Sequence, residues 1–205
     1  KGQSILFRNQ LLENGFYKVF SKRNITSIYF DTDDLFFARQ NINGENLRVK
    51  PRVRFYDNQV NYSALELKFK NNYSGYKNKF YIKKKINFKS VNNIYINNFS
   101  DLVKKILGLN LYPTTIVTYE RTYYNSKFIR ATQDENIKVF RLHNYDNFFQ
   151  NYNTKIFSPL DLEVIEFKYD VSKDNFFRKK YDYLFNKTLR AKKCSKYIHS
   201  IINSV

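Results

Sequence analysis

The sequence is poor in the side chains that build disulfide frameworks and sulfur or imidazole metal centres. Its 205 residues include one cysteine, Cys194, and two histidines, His143 and His199. A single cysteine excludes an internal disulfide framework and a cysteine-based zinc site. Two histidines do not make a histidine metal centre without several carboxylates. Because this cysteine usage fits a reducing compartment, we predict a cytoplasmic protein.

Long apolar runs and acidic residues are also scarce. No run approaches the roughly 18 apolar residues that a membrane span needs, and no secretory signal pattern is recognised at the start of the sequence. The chain has 18 acidic residues against 36 Lys and Arg, a formal net charge of +18. Such an excess predicts a polyanionic partner, which is nucleic acid, an anionic membrane or a phosphate-rich small molecule. Because Asn, Lys, Ile and Tyr are abundant throughout, charge patterning is a safer guide than net charge.

What is present is enough to build a folded domain. Apolar residues make up 42% of the sequence, too many for a disordered chain. The length fits one domain with a real core. The sequence shows no repeat of fixed period and no linker that would divide it. We therefore predict a single domain over residues 1–205.

The segment from residue 46 to residue 56 alternates basic and apolar side chains. Its basic positions are Arg48, Lys50, Arg52 and Arg54. Successive side chains of a strand point to opposite faces, so one face carries only cations. Neighbouring cations on that face lie roughly 6.5–7 Å apart and repel by about 2–2.5 kcal/mol at an effective dielectric near 20, less where solvent screens them. An anion bound against the row would turn this repulsion into binding energy.

Other predicted strands repeat this separation of charge. The residues that share a charged face are Glu66, Lys68 and Lys70, then Lys77 and Lys79, then Arg130 and Asp134, and finally Glu166 and Lys168. A single cationic row is explained as well by a solvated edge strand. One sheet rarely needs several such rows, so we interpret these faces as the lining of an internal cavity.

Hydrophobic periodicity and turn residues predict the elements of the chain. Helices are predicted over residues 2–14, 100–107, 176–185 and 191–202, with a short helical or turn segment over 33–40. Ser100 is the expected N-cap of the second helix, Gly108 follows its end, and Asp31 is expected to be a turn or cap residue. Predicted strands cover residues 26–31, 46–56, 62–70, 77–82, 114–124, 127–134, 137–142 and 160–169. Residues 90–98 and 143–158 are predicted loops.

These elements predict an α+β fold. Seven or eight strands with short connections favour an antiparallel β-barrel, with helices packed outside it and at the C-terminus. The charged faces would then line a tunnel, whereas ordinary small barrels have apolar interiors. Polyphosphate-like anions suit such a tunnel, because Arg forks grip phosphate oxygens and a carboxylate can hold a divalent metal.

Seven short motifs occur in a fixed order along the chain. They are SIYFDT at residues 27–32, LRVKPRVRFY at 47–56, LELK at 65–68, YERT at 119–122, RATQD at 130–134, VIEFK at 164–168 and SKY at 195–197. In this order they resemble the VTC domain, named for the vacuolar transporter chaperone complex, of the triphosphate tunnel metalloenzyme or CYTH-like superfamily. Each motif alone is weak, but the ordered set covers nearly the whole chain.

The resemblance implies a tunnel barrel that binds ATP and a divalent metal, Mn²⁺ or Mg²⁺, and polymerises inorganic polyphosphate. Catalytic roles are expected for Arg52, Arg54, Lys68, Arg121 and Arg130. Phosphate binding is expected for Lys77, Lys79, Lys193 and Lys196, with Arg48 and Lys50 added by the charge pattern. Metal binding is expected for Glu166, with Glu66 and Asp134 as further carboxylates. For Glu66 and Glu166, an ion pair with a neighbouring Lys or Arg is an equal alternative. For Asp134, the alternative is an ion pair with Arg130.

Two departures from the family pattern affect these expectations. The family usually opens with a Glu-x-Lys-Tyr strand before its first helix, and this sequence starts at that helix. A barrel without that strand would be open at one edge. Lys79 stands where the family more often has Arg.

Two other functions compete with polymerisation. A triphosphate or polyphosphate hydrolase would use the same fold, with a placed water instead of a phosphate acceptor. A nucleic-acid-binding module also combines basic and aromatic residues. Carboxylates on the cationic faces argue against nucleic acid, because they would repel its backbone. The expected partners are therefore ATP and inorganic polyphosphate.

Overall fold

A computed structural model describes residues 2–57, 59–71, 74–81, 93–127, 129–142, 157–187 and 194–203. Within these segments it has nine strands and five α-helices. The helices are α1 (Gly2–Glu13), α2 (Phe36–Ile42), α3 (Asn93–Leu107), α4 (Asp174–Lys187) and α5 (Lys196–Ile202). The strands are β1 (Tyr17–Lys18), β2 (Arg23–Asp31), β3 (Leu47–Tyr56), β4 (Gln59–Asn71), β5 (Ser74–Tyr81), β6 (Tyr112–Asn125), β7 (Arg130–Arg141), β8 (Ser158–Pro159) and β9 (Val164–Lys168). The predicted α+β class is confirmed.

The chain divides into two compact units. The larger unit comprises Asn24–Tyr119, Ile137–Leu160 and Ser195–Val205, and the smaller unit comprises Lys1–Arg23, Glu120–Asn136 and Asp161–Cys194. Strands β6 and β7 contribute residues to both. In the described part of the chain, no helix is long and apolar enough to cross a membrane.

The larger unit is built on a sheet with the strand order β5-β4-β3-β2-β6-β7-β8. Strands β2 to β5 pair as successive antiparallel neighbours. Their apolar side chains, such as Ile28, Val53 and Leu65, are buried in a cluster with Phe99 and Val103 of α3. The alternation in the sequence therefore places the basic side chains of β3 on the face opposite to this core.

The smaller unit has its own apolar cluster. Strand β1 pairs with the C-terminal end of β6, and β9 pairs with the first half of β7. Phe7 and Leu11 of α1 pack in this cluster with Phe177 and Tyr181 of α4. The helical spacing of apolar residues in α1 and α4 puts these side chains on one side of each helix.

A closed barrel is not confirmed. The sheet is open, with β5 and β8 at the two ends of its strand order in the described segments. Alternation of charged and apolar positions specifies the two faces of each strand. Closure depends on stagger and on pairing between strands that are distant in sequence, and alternation carries no information about these.

Two element predictions are wrong. Residues 93–98 were expected in a loop, but α3 begins at Asn93 and continues to Leu107, so Ser100 lies inside the helix and is not its N-cap. The predicted strands 127–134 and 137–142 form one strand, β7, in which Asn136 has a positive φ of 51°. Asparagine tolerates this left-handed conformation, so the strand continues past a residue that the sequence reads as a break.

Most other boundaries are close to those predicted. Gly108 follows α3 with a φ of 71° and donates its N–H to the carbonyl of Lys104, as expected for a helix end. The last predicted strand is shorter than expected, since β9 covers only Val164–Lys168. The C-terminal helix begins at Lys196. Residues 143–156 and 188–193, including Lys193, lie outside the described residues.

Candidate phosphate-binding site

The antiparallel register of β3, β4 and β5 aligns their basic residues in rows across the sheet. Residues directly opposite on neighbouring antiparallel strands share a face, and we call such a set a rung. The rungs are Arg52, Glu66 and Lys79; Lys50, Lys68 and Lys77; and Arg48, Lys70 and Gly75. Arg54 lies opposite Ala64 in the next rung. We call the surface formed by these rungs the cationic face. Among the described residues of these rungs, Glu66 is the one carboxylate.

Glu66 is the carboxylate on which the basic side chains of the cationic face converge. It is only 2% exposed. Its Oε2 accepts hydrogen bonds from Nε and Nη2 of Arg52 at 2.9 and 2.8 Å, and its Oε1 accepts one from Nζ of Lys77 at 3.0 Å. Arg54 and Lys79 approach the same carboxylate at 3.8 and 3.9 Å. Four cations therefore surround one carboxylate, which leaves the cluster with a positive excess.

The pKa values follow from this crowding. Burial alone would raise the pKa of Glu66, but the charges of Arg52 and Arg54 outweigh it and lower the pKa to about 2. Burial lowers the pKa of Lys50 to about 8, and neighbouring cations add to the effect. The pKa of Lys77 is also lowered, chiefly by burial. Glu66 is thus ionised at neutral pH, whereas the charge of Lys50 is easily lost.

Polar residues of β2 and β6 hold the two arginines in place. Arg54 donates from Nε to Oγ of Ser27 at 3.1 Å and from Nη2 to the hydroxyl of Tyr119 at 2.9 Å. Arg52 donates from Nη1 to the hydroxyl of Tyr29 at 3.4 Å. Burial would raise the pKa of Tyr29, but the charges of Arg52 and Arg54 lower it to about 8. These contacts orient both guanidinium groups before any ligand binds.

The C-terminal helix is anchored to the same face. Ser195 caps α5 and accepts a hydrogen bond from Nζ of Lys50 at 2.9 Å. The ring of Tyr197 stacks on Tyr29 with 4.9 Å between centroids, and Nζ of Lys196 lies 5.0 Å from the centroid of Tyr119. Helix α5 thus brings Lys196, a predicted phosphate ligand, next to Tyr119, which bonds Arg54.

Asp31 holds α5 in place through Tyr197 and also caps α2. Its carboxylate accepts the backbone N–H groups of Phe37 and Ala38 in the first turn of α2, and that of the neighbouring Thr32, at 2.8–2.9 Å. It also accepts the hydroxyl of Tyr197. Burial and the charge of Asp31 raise the pKa of Tyr197, so its phenol stays protonated and donates. The prediction that Asp31 is a cap or turn residue is confirmed.

We expect Tyr197→Phe to lower the free energy of unfolding by about 2 kcal/mol, because it removes a buried hydrogen bond to a charged acceptor. Tyr181→Phe is the matched control, since the Tyr181 hydroxyl is buried and has no hydrogen-bond partner in the described part of the chain. Urea unfolding of both variants measures the difference. Equal losses would show that the hydroxyl of Tyr197 contributes nothing specific.

Four described residues with predicted roles lie in the smaller unit, again on one face: Arg121, Arg130, Asp134 and Glu166. Arg121 donates from Nε and Nη2 to the two oxygens of Asp134 at 2.5 and 2.7 Å, and both side chains are buried. Glu166 lies directly opposite Thr132, one step diagonally from Arg130 and Asp134. Nζ of Lys168 lies 3.5 Å from Glu166. The predicted roles of Arg121, Arg130, Asp134 and Glu166 stay predictions.

The carboxylates and hydroxyls of the site determine whether a divalent metal would fit. The described residues hold no group of three or more His, Cys, Asp or Glu that could bind a metal ion. Glu66 and Asp134 are occupied by Arg and Lys donors. Beside Glu166, the buried hydroxyl of Thr132 has no hydrogen-bond partner among the described residues. One carboxylate and one hydroxyl do not form a complete cage, but they suit Mg²⁺ or Mn²⁺ that keeps waters or phosphate oxygens as its other ligands.

Four residues of the site were not assigned a role from the sequence. Ser27 and Tyr29 of β2, Ser195 and Tyr197 contact the predicted phosphate ligands or one another. A signal was present for β2, where polar residues at odd positions alternate with apolar Ile28 and Phe30. The roles of Ser195 and Tyr197 depend on a contact with strands more than 140 residues earlier.

Comparison with known proteins agrees with this architecture. A structure from Vibrio parahaemolyticus, of a candidate adenylate cyclase, has 11% identity and a TM-score of 0.51, covering 95% of this chain and 90% of that chain. A protein from Pyrococcus horikoshii OT3 has 13% identity and a TM-score of 0.49, covering 97% and 93%. The first of these similarities shows a shared fold. No curated protein matches the chain.

The family comparison covers both units. A model of the VTC domain matches residues 7–204, which include all the strands described above. The motifs that carry the resemblance in the sequence all lie within this match. The chain belongs to the VTC domain family.

Proposed function

We propose that this protein is an ATP-dependent polyphosphate polymerase. The observation that carries the proposal is the cationic face, where Arg52, Arg54, Lys77 and Lys79 converge on one buried carboxylate. Membership of the VTC family and the fold shared with a candidate adenylate cyclase support a phosphate-transfer enzyme. A cytoplasmic location stays a prediction.

The reaction asks the protein for positioning and charge neutralisation. A terminal oxygen of the growing chain attacks the γ-phosphorus of ATP, a new P–O bond forms, the bond to the β-phosphate oxygen breaks, and ADP leaves. Charge spreads over the oxygens of the transferred group, and fixed cations stabilise it. Arg52 and Arg54 are suited to this role because their guanidinium groups are already oriented. Glu166 is the residue we expect to hold Mn²⁺ or Mg²⁺, which would neutralise further phosphate charge.

Hydrolysis is the second candidate, because the same phosphate contacts serve either acceptor. If water replaces the terminal phosphate of a chain, the products are ADP and free phosphate. The charges of the cationic face do not distinguish the two acceptors. Product analysis separates them directly.

The test is to incubate the protein with ATP and Mn²⁺ and to resolve long-chain polyphosphate and free phosphate. We expect polymer from the unaltered protein and from Lys104→Gln, which removes an exposed charge on α3. We expect none from Arg52→Gln/Arg54→Gln, and little from Glu166→Gln or with excess EDTA. Free phosphate without polymer would favour the hydrolase. Neither product would overturn both enzyme proposals.

Affinity for tripolyphosphate should fall about tenfold between about pH 7 and about pH 9.5. Phosphate binding favours protonated Lys50 and neutral Tyr29, both with pKa values of about 8. Binding therefore takes up protons, and affinity is lost as pH rises through that value. In Lys50→Arg/Tyr29→Phe both charges are fixed, so the variant should retain only the ligand's own pH dependence. The same fall in both proteins would show that neither group contributes.

A further inference from the structure

The end of the cationic face that carries Arg48 has no carboxylate in its described rungs, unlike the end that carries Glu66. Arg48 lies directly opposite Lys70, and the next position across the sheet is Gly75, which has no side chain. Like charges directly opposite on neighbouring strands destabilise the sheet. The adjacent rung, with Lys50, Lys68 and Lys77, also lacks a carboxylate. Two neighbouring rungs of the described sheet therefore hold basic residues and no acid.

Arg48 is buried without a countercharge from any described residue. Only 8% of it is exposed. Its Nε is buried and has no hydrogen-bond partner in the described part of the chain. No ion pair of Arg48 occurs there either, whereas Arg52 and Arg54 each pair with Glu66. A buried charge is costly unless it is paired and hydrogen-bonded, so this guanidinium is prepared for an anion.

The distance along the strand shows which anion would reach it. Arg48 and Arg54 are six residues apart on β3, which corresponds to about 20 Å of extended chain. A triphosphate held at Arg52 and Arg54 covers only part of this length. A longer linear polyphosphate laid along β3 would continue past Lys50 to Arg48 and Lys70.

We propose that Arg48 and Lys70 form a distal subsite for linear polyphosphate, which binds the part of the chain beyond the phosphates held at Arg52 and Arg54. This inference rests on the proposed function, because it names the occupant of the same face. The subsite makes binding depend on chain length. Tripolyphosphate is bound without it, and a long chain is bound with it.

The test compares the affinities of tripolyphosphate, long-chain polyphosphate and a single-stranded oligonucleotide for the whole chain, at fixed salt. We expect Arg48→Gln and Lys70→Gln each to lower the affinity for long-chain polyphosphate by about tenfold, which corresponds to the loss of one charge-assisted hydrogen bond. The affinity for tripolyphosphate should stay unchanged in both variants. Lys70 is exposed, so its variant retains the fold even if Arg48→Gln is unstable. Lys104→Gln, with the same charge change on α3, is the control and should leave all three affinities unchanged.

Other outcomes would overturn the subsite. Equal loss of tripolyphosphate and long chains would place Arg48 and Lys70 in the triphosphate site itself. Unchanged affinity for long chains in the folded Lys70→Gln variant would show that Lys70 is a solvated charge and does not bind polyphosphate. Oligonucleotide affinity that falls as much as polyphosphate affinity would identify a nucleic-acid surface. These readouts are binding constants, so a lack of polymerase activity in the unaltered protein would defeat the proposed function without deciding the subsite.

Discussion

Arg52→Gln/Arg54→Gln is expected to reduce the affinity for tripolyphosphate by about 100-fold or more and to abolish product formation from ATP. Each arginine can offer charge-assisted hydrogen bonds to phosphate, and each such bond contributes about 1.5–3 kcal/mol. Both guanidinium groups are held by Ser27, Tyr29 and Tyr119, so little entropy is lost when phosphate binds. Isothermal titration with tripolyphosphate measures the loss.

A single-charge control is Arg39→Gln, which removes one positive charge outside the cationic face. The side chain of Arg39 is 54% exposed and pairs with that of Asp34, which is 60% exposed, on the surface of the larger unit. Affinity should stay within about a factor of two in this variant, because an exposed ion pair contributes about 0–1 kcal/mol. A large loss in the control would mean that binding follows net charge rather than these two arginines. Unchanged affinity in the double variant would show that phosphate binds at a site that does not include Arg52 and Arg54.

Glu66→Gln is expected to lower the free energy of unfolding by about 3–5 kcal/mol and to retain phosphate binding. The substitution leaves Arg52 and Arg54 buried without their carboxylate, and breaking a buried pair costs about this much. Bound phosphate can replace the lost negative charge. Tripolyphosphate should therefore stabilise the variant more than it stabilises the unaltered protein. Urea unfolding with and without tripolyphosphate measures both effects.

The pH dependence of stability isolates the contribution of Glu66. Its pKa falls from 4.5 to about 2 on folding, so its contribution is complete above about pH 4.5 and is lost as pH falls towards 2. Glu66→Gln should lack this part of the acid sensitivity. Glu120→Gln, which removes a carboxylate that is 34% exposed and paired with Lys22, is the control and should change stability little. Intact stability with lost phosphate binding would instead identify Glu66 as a ligand-binding group.

The sequence predicted the local features of the site because they depend on strand periodicity. Alternation alone placed Arg52 and Arg54 on one face of β3 and identified the opposite face as core. The motif order identified the family, which the family match confirms over residues 7–204. Where periodicity was ambiguous the prediction was wrong, as for the Asn-rich start of α3, whose composition is typical of a loop.

The sequence did not predict which group contacts each carboxylate of the site. From the sequence, Glu66, Asp134 and Glu166 were candidates for metal binding or for an ion pair, with Arg130 as the expected partner of Asp134. In the structure Glu66 is surrounded by four cations and Asp134 is held by both arms of Arg121. Which cation reaches a carboxylate depends on register and side-chain direction between strands, and residue type does not encode these.

The amino-acid sequence by itself determined the α+β class, the charged and apolar faces of β3 and β4, and the family. Each of these follows from side chains within about ten residues of one another, or from motifs read in order. Only the tertiary structure decided that Lys50, Lys68 and Lys77 lie side by side, and that Arg48 is buried with no countercharge within the described segments. It also decided that Tyr197 anchors α5 through Asp31. These features arise from strand register and from contacts between distant segments, which are fixed when the core packs.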